Sequence, residues 1–384
     1  IFVKNMMKIS TSILGLLFPL VCICQDKASI GVPVLQLNAS PYENGFLQGS
    51  TFKTQIYELH ALWKENLEAT YGYAADEIIS RFLESTDFIP AIQKWTPDLL
   101  EEIRGISDGS GIDFNTTLAF QLVDEMWTSD ELIREPHHCS SLGFNNYIID
   151  GSENYIAQNI DVPAFYHGYE VILDILDTIT DTRMLVNTFS GFIGANGMNN
   201  DIGVCVNSLL DLKSSKKGLP VCCVVRGILD QGSFAEAKAF IYSIEHASGQ
   251  NYIIASRKEV VSFECASDLV VEFWPDSSRS YTYHTNTAYA NNSFKAAYTS
   301  RMKDQFQPEP ENIHPGCPRF EFIADELREA HSFDYDIIEK ILLQPPVYNN
   351  YTWLSTIMEF NDSCNVMFIS PGEKVDYILF DICN

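Results

Sequence analysis

The 384-residue chain is short of positive charge: 25 lysines and arginines stand against 51 aspartates and glutamates, a formal net charge of -26. A field of that sign repels phosphate backbones and anionic lipid surfaces, which argues against nucleic acid as a partner. Beyond the first two dozen residues, no apolar run approaches the about 20 residues that a membrane helix needs. Internal repeats, heptads and low-complexity tracts are also absent, which excludes solenoid and coiled-coil architectures. Ten cysteines over this length are too few for a disulfide-stapled mini-scaffold, though they suit an oxidising compartment. What is plentiful is apolar side chain: 46% of the residues, including 24 Phe, enough to bury a sizeable core. At roughly 100–200 residues per domain, the length allows two or three domains or one large layered enzyme.

The first residues read as an export signal. Met6-Met7-Lys8 resembles a true start, with the preceding residues as upstream read-through. Lys8 is a positive n-region, and Ile13 to Val21 forms an apolar core too short to span a bilayer. Cys22-Ile23-Cys24 offers small residues to a signal peptidase, with Gln25 as the first mature residue. Asn-x-Ser/Thr sequons follow at Asn38, Asn115, Asn291, Asn350 and Asn361, in keeping with a secreted glycoprotein.

Residues 41 to 135 read as helical. Phe52, Ile56, Leu59, Trp63 and Leu67 recur at three- and four-residue steps. Thr96-Pro97-Asp98 predicts a capped helix start, with Asp108-Gly109-Ser110-Gly111 as its end. Leu118 to Met126 predicts a further helix, closed by Pro136. From Cys139 onward the pattern changes to short β-type runs, among them Tyr169 to Ile175, Met184 to Phe189, Val260 to Cys265 and Ser355 to Phe360. Helices interrupt them after Ser233, with Glu236 completing a capping box, from about Arg319 to Ala330, and around Ile337 to Leu342, where Pro345-Pro346 stops the last. Many strands with a few long helices predict two packed sheets covered by helices.

The junction between helical front and strand-rich back is Cys139, in Pro136-His137-His138-Cys139-Ser140-Ser141. Four readings compete. One is a buried or disulfide-bonded thiol. Zinc binding by His-His-Cys is poor, because zinc ligands are usually spaced two to five apart. A papain-like pairing with His284 has suitable spacing but lacks the local Cys-Gly-Ser-Cys-Trp signature. In the fourth, scission of the His138–Cys139 bond frees an α-amine beside the thiol. With a pKa near about 7.7–8.0, that amine is a competent base at neutral pH and can activate the sulfur for attack on a carbonyl. Asn side chains are natural oxyanion donors for such chemistry.

Several segments resemble, in order, the acyl-coenzyme A:6-aminopenicillanic-acid acyltransferase (isopenicillin-N acyltransferase-like) family of N-terminal-nucleophile (Ntn) hydrolases. Tyr42 to Gly49 looks like that family's opening Gly-x-x-x-Gly turn, and Glu101 to Gly111 like its Gly-rich helix end. Cys139-Ser140-Ser141 is similar to the start of its catalytic chain, Gln158-Asn159-Ile160-Asp161 to Gln-Asn-Trp/Tyr-Asp, and Gly197 to Gly203 to Gly-Met-Asn-Glu-x-Gly. His284-Thr285-Asn286 and Ser300-Arg301 resemble the family's His-Thr-Asn and following Ser-Arg.

The resemblance implies an α/β fold, a four-layer αββα Ntn-hydrolase sandwich with a helical N-terminal segment. It implies Cys139 as both self-cleavage residue and nucleophile, Asp161 orienting the new α-amine, Asn286 and the Asn199 region stabilising the oxyanion, and Arg301 ordering the pocket. Three departures stand out: His138 precedes the nucleophile where glycine is common, Ile160 replaces an aromatic, and Asn200 replaces a glutamate. The expected organisation is a signal over 1–24, a helical pro/alpha segment over 25–138 and a catalytic beta chain over 139–384. The expected activity is hydrolysis or transfer of an acyl group from a small amide through a thioester, in the secretory lumen or outside the cell. No metal or organic cofactor is expected, and the partners are the small amide substrate and the chain's own cleaved front fragment. A papain-like protease, a ceramidase-like lipid amidase and an uncleaved binding protein on the same scaffold remain open alternatives.

Overall fold

The computed structural model describes residues 31–129, 139–178, 180–296, 317–372 and 376–383. The segment expected to be an export signal, His138 and Arg301 therefore lie outside the described residues.

The front segment opens with a strand, β1 (Val34–Leu37), and then forms seven helices: α1 (Pro41–Thr51), α2 (Lys53–Tyr71), α3 (Ala75–Ser85), α4 (Ile89–Trp95), α5 (Pro97–Ser110), α6 (Phe114–Gln121) and α7 (Val123–Ser129). Tyr42 to Gly49, expected as a turn, lies inside α1. Its glycines serve close packing. A Cβ on Gly45 would lie 1.9 Å from the Glu102 carbonyl oxygen, and one on Gly105 2.1 Å from that of Tyr42. With Gly49 and Gly109 one turn on, α1 and α5 meet backbone to backbone. The α5 stop is as expected, Gly111 taking the left-handed conformation at φ 82°. The α5 start is also where expected, with Pro97 and Asp98 in the first turn, but the Thr96 hydroxyl makes no cap and is buried without a described partner. The single helix expected over Leu118 to Met126 breaks at Leu122 into α6 and α7.

The back segment supplies β2 (Ser140–Phe144), β3 (Asn154–Asp161), β4 (Glu170–Asp177), β5 (Thr182–Phe189), β6 (Asn196–Asn199) and β7 (Ile202–Ser208). Next come α8 (Val221–Leu229), α9 (Phe234–Ser243), β8 (Gln250–Ser256), β9 (Val260–Cys265), β10 (Val270–Phe273) and β11 (Tyr281–His284). The described chain ends with α10 (Pro318–Glu329), α11 (Tyr335–Leu342), β12 (Thr352–Phe360), β13 (Asn365–Pro371) and β14 (Ile378–Ile382).

Two sheets result, of order β1-β4-β5-β6-β7-β8-β9-β10 and β11-β2-β3-β12-β13-β14. β2 and β3 of the second sheet pack on β7, β8 and β9 of the first. The central strands of the first sheet are buried along most of their length, β8 and β9 at every residue, because α8 and α9 cover its other face. α10 and α11 cover the outer face of the second sheet. The order helix, sheet, sheet, helix is the expected αββα sandwich. β1 pairs in parallel with β4, so the front segment is built into the first sheet rather than standing as a separate domain. A buried, two-pronged ion pair, Glu102 with Arg226 at 3.0 Å on each prong, ties α5 to α8.

Candidate active site

The register places the junction cysteine. Ser140 faces Asn159 across β2 and β3, and Asp161 faces Thr352 across β3 and β12. Cys139, one residue before β2, therefore comes beside the Asp161 end of β3. It is buried and lines a cleft of about 640 Å³ together with Asp161. Most of the wall is apolar: Val123 and Trp127 from α7, then Ile160, Tyr166, Phe189 and Phe192.

Burial pushes the Cys139 thiol up to about 12, and the neighbouring Asp161 carboxylate adds to the rise. In the uncut chain this thiol is a poor nucleophile at neutral pH. Asp161 is 1% exposed, and its two oxygens accept hydrogen bonds from Asn349 Nδ2 at 2.5 Å and Thr352 Oγ1 at 2.8 Å. Burial nevertheless lifts its carboxyl to about 7, against the opposing pull of Asn349, Thr352 and Arg319. The result is a carboxyl that titrates near neutrality next to the sulfur.

Arg319 is the arginine found at this site. Its Nη1 donates to the Cys139 carbonyl at 2.6 Å and to Ser140 Oγ at 2.9 Å, and its Nη2 donates to Asn286 Oδ1 at 3.0 Å. Asn286 Nδ2 donates to the Ser208 carbonyl at 3.0 Å, and its second N–H remains for another acceptor. Arg301, the arginine expected here, lies outside the described residues. Sequence reasoning placed Arg319 at a helix start without giving it a role. One signal was legible: a cation in the first turn of α10 opposes the helix dipole and calls for a compensating reason.

Asn199 stands elsewhere. Its Nδ2 donates to the Leu229 and Gln231 carbonyls, and its Oδ1 accepts from the Asp201 and Ile202 amides. It locks the β6–β7 turn onto the end of α8, the length of β7, about 20 Å, from the Ser208 end that borders the cleft. Gln158 of the same motif set does line the cleft and bridges the two sheets: its Oε1 accepts from Asn196 Nδ2 at 2.9 Å and from the Val206 amide at 3.3 Å.

His284 does not reach the sulfur. Its Nε2 contacts Glu264 Oε1 at 2.9 Å and its Nδ1 the Thr285 carbonyl at 2.8 Å, so both ring nitrogens are engaged away from the cleft. A papain-like cysteine–histidine pair is not formed. The buried Glu264 also accepts from the amides of Tyr289, Ala290 and Asn291, at 2.7, 2.9 and 2.6 Å. One carboxylate thus fastens both ends of the loop that carries Asn286.

The site thus holds a nucleophile candidate one residue before β2, with a carboxyl and an asparagine–arginine pair beside it. Residues 150–308 match the family model described as acyl-coenzyme A:6-aminopenicillanic acid acyl-transferase, so the resemblance read from the motifs holds over that stretch. The chain is also similar to the Protein dcd1A of Dictyostelium discoideum, 23% identical over 117 residues, a match covering 25% of each protein. It thus spans about a quarter of the length of that curated relative. Among solved structures, a Caenorhabditis elegans N-acylethanolamine-hydrolyzing acid amidase (NAAA) ortholog overlays with a TM-score of 0.43 at 19% identity, over 57% of this chain and 92% of that one.

Proposed function

We propose that the chain is a secreted amidohydrolase or acyltransferase whose nucleophile is an N-terminal cysteine generated by self-scission at His138–Cys139. The observation that carries this reading is Cys139 itself. It sits at the start of β2 in an apolar cleft, its carbonyl clamped by Arg319, its thiol raised by burial and beside a carboxyl poised near neutrality.

Before scission, Asp161 is the base within reach of the thiol. Sulfur adds to the His138 carbonyl, the C–N bond breaks to leave an amine on Cys139, and water hydrolyses the resulting ester of sulfur. A carboxylate remains on His138. In turnover the new α-amine takes the thiol proton, and sulfur adds to the substrate carbonyl. The free N–H of Asn286 is suited to hold the developing oxyanion. The leaving amine departs with the proton, giving a thioester. Water then yields hydrolysis and an amine acceptor yields transfer. The apolar wall favours a substrate with one apolar portion.

The export signal and the Cys364–Cys383 disulfide both support an oxidising compartment. Asn38, Asn115 and Asn350 are exposed and open to glycans. Asn291 is not, being 1% exposed with its Nδ2 donating to the Glu264 and Leu269 carbonyls.

N-terminal sequencing of wild type beside Cys139→Ala is the direct test. The expected result is a fragment beginning at Cys139 in wild type and an intact chain in the variant. An intact wild type, or scission that survives the substitution, overturns the proposal.

A further inference from the structure

One charged group in the cleft has no part in the scheme above. Asp124, on α7 of the front segment, lines the cleft with Cys139 and Asp161. Among the described residues its one hydrogen bond comes from Ser208 Oγ to Oδ1 at 3.1 Å, and Oδ2 has none. Asp161 differs, since both its oxygens are occupied by Asn349 and Thr352. Among the described residues lining the cleft there is no lysine, arginine or histidine. Arg319 directs its guanidinium to the Cys139 carbonyl, Ser140 and Asn286.

The placement of Asp124 is built in. Its neighbour Glu125 accepts the Val221 amide at 2.9 Å and Ser248 Oγ at 3.0 Å, which fastens α7 to the start of α8 and the loop before β8. That anchor involves no residue between α7 and Cys139, so scission leaves it in place. Asp124 is only partly buried, so a ligand in the cleft can reach its unbonded oxygen beside the apolar Val123, Trp127 and Phe192.

We propose that Asp124 is a specificity-determining residue whose partner is an ammonium group on the substrate. The preferred amides then join an apolar portion to a cationic one, and amides bearing a carboxylate are rejected. The inference rests on the reading of Cys139 as the nucleophile at this cleft and adds the charge of the molecule it attacks. Burial lifts the Asp124 carboxyl to about 6, with Ser208 pulling the other way, so it is ionised at neutral pH and loses its charge in mild acid. The preference should accordingly weaken as the pH falls through that value.

Alkylation of Cys139 reads this field without knowledge of the substrate. The full chain is treated at pH 7.5 with cationic 2-bromoethylamine, neutral iodoacetamide or anionic iodoacetate. Labelling of Cys139 is followed by mass spectrometry, and each rate is divided by that reagent's rate with glutathione. Wild type should favour the cation over the anion about tenfold, as a unit charge a few ångströms away in a partly desolvated site predicts. Asp124→Asn, which keeps the shape and the Ser208 contact, should reduce the ratio several-fold while the iodoacetamide rate stays within twofold. An unchanged ratio in Asp124→Asn, or equal changes with all three reagents, overturns the role of Asp124 and leaves the nucleophile standing. A Cys139 that no reagent labels, in a chain that still turns over amides, overturns both.

Discussion

Asp161 and Glu264 are both buried carboxyls with several hydrogen-bond donors, yet their chemistry diverges. Asp161 has two donors, and burial prevails, lifting it to about 7. Glu264 has four, from His284 and three successive loop amides, and they hold it below the ordinary carboxylate range. The first is suited to moving a proton and the second to holding a loop in place. Replacing Glu264 by Gln turns one acceptor oxygen into a donor facing other donors, and should cost about 3 kcal/mol in chemical denaturation. Because its folded pKa is depressed, the Glu264 contribution is present above about pH 4.5 and is lost as pH falls through the lower folded value, so the variant and wild type should converge in acid. Asn286→Ala leaves the Glu264 anchor intact but removes the N–H proposed as the oxyanion donor. Self-scission followed by gel mobility should slow about 100-fold, the effect of losing one oxyanion donor. An unchanged rate would remove Asn286 from the machinery and leave it as a support for Arg319.

Between α1 and α5 the contact is made by backbone, which sets a sharp test of the fold. A Cβ at Gly45 or Gly105 lands about 2 Å from a carbonyl oxygen on the partner helix, so the helices must separate. Gly105→Ala should lose about 3 kcal/mol by urea denaturation, near the upper end for overpacking. Gly151→Ala, on a turn at φ 81° with open space around it, should lose about 1 kcal/mol from backbone strain alone. The sequence carried the glycine spacing but not its meaning, since a Gly-x-x-x-Gly run suits a turn as well as a helix crossing. Elements with a clean period were legible: α2 from its apolar steps, β9 to the residue, α10 and α11 to within two. α8 was not, because Val221 to Leu229 is buried all round and its β-branched residues suit a strand. β6 was hidden for the opposite reason, its Asn and Gly residues reading as a turn although they lie in mid-sheet. Within the site, Cys139, Asp161 and Asn286 were visible in local motifs. Arg319 and Asp124 were not, because each joins the cleft only through tertiary packing.

Across the whole molecule, buried titratable groups set how stability responds to pH. Burial raises the carboxyls of Glu125 to about 8, Asp161 to about 7, and Asp124 and Asp230 to about 6. Each binds its proton more tightly folded than unfolded. Their contribution is complete below the unfolded values near pH 4 and is lost as pH rises through 6, 7 and 8. Two histidines act in the opposite sense. His60 is packed against Trp63 and Phe120, neither of its ring nitrogens has a described hydrogen-bond partner, and burial lowers it to about 3. His246, bonded through Nε2 to the Ile241 carbonyl, is lowered to about 4. Both stabilise the fold above about pH 6.5, where they are neutral in either state, and oppose it as pH falls below that value. Near pH 7 the carboxyls dominate, because the folded chain holds about one and a half more protons on Glu125 and Asp161 while the unfolded histidines are mostly neutral. By pH 5 the unfolded histidines have gained about two protons against nearly four on the buried carboxyls. The stability gain on acidification should therefore continue from pH 8 to about pH 5 and reverse below about pH 4. A Tm series by calorimetry over that range tests it. In His60→Phe the acid-side loss should shift to lower pH while the rise from pH 8 to 6.5 is unchanged. A wild type most stable at pH 8 would mean that water reaches the buried carboxyls and leaves them ionised at little cost.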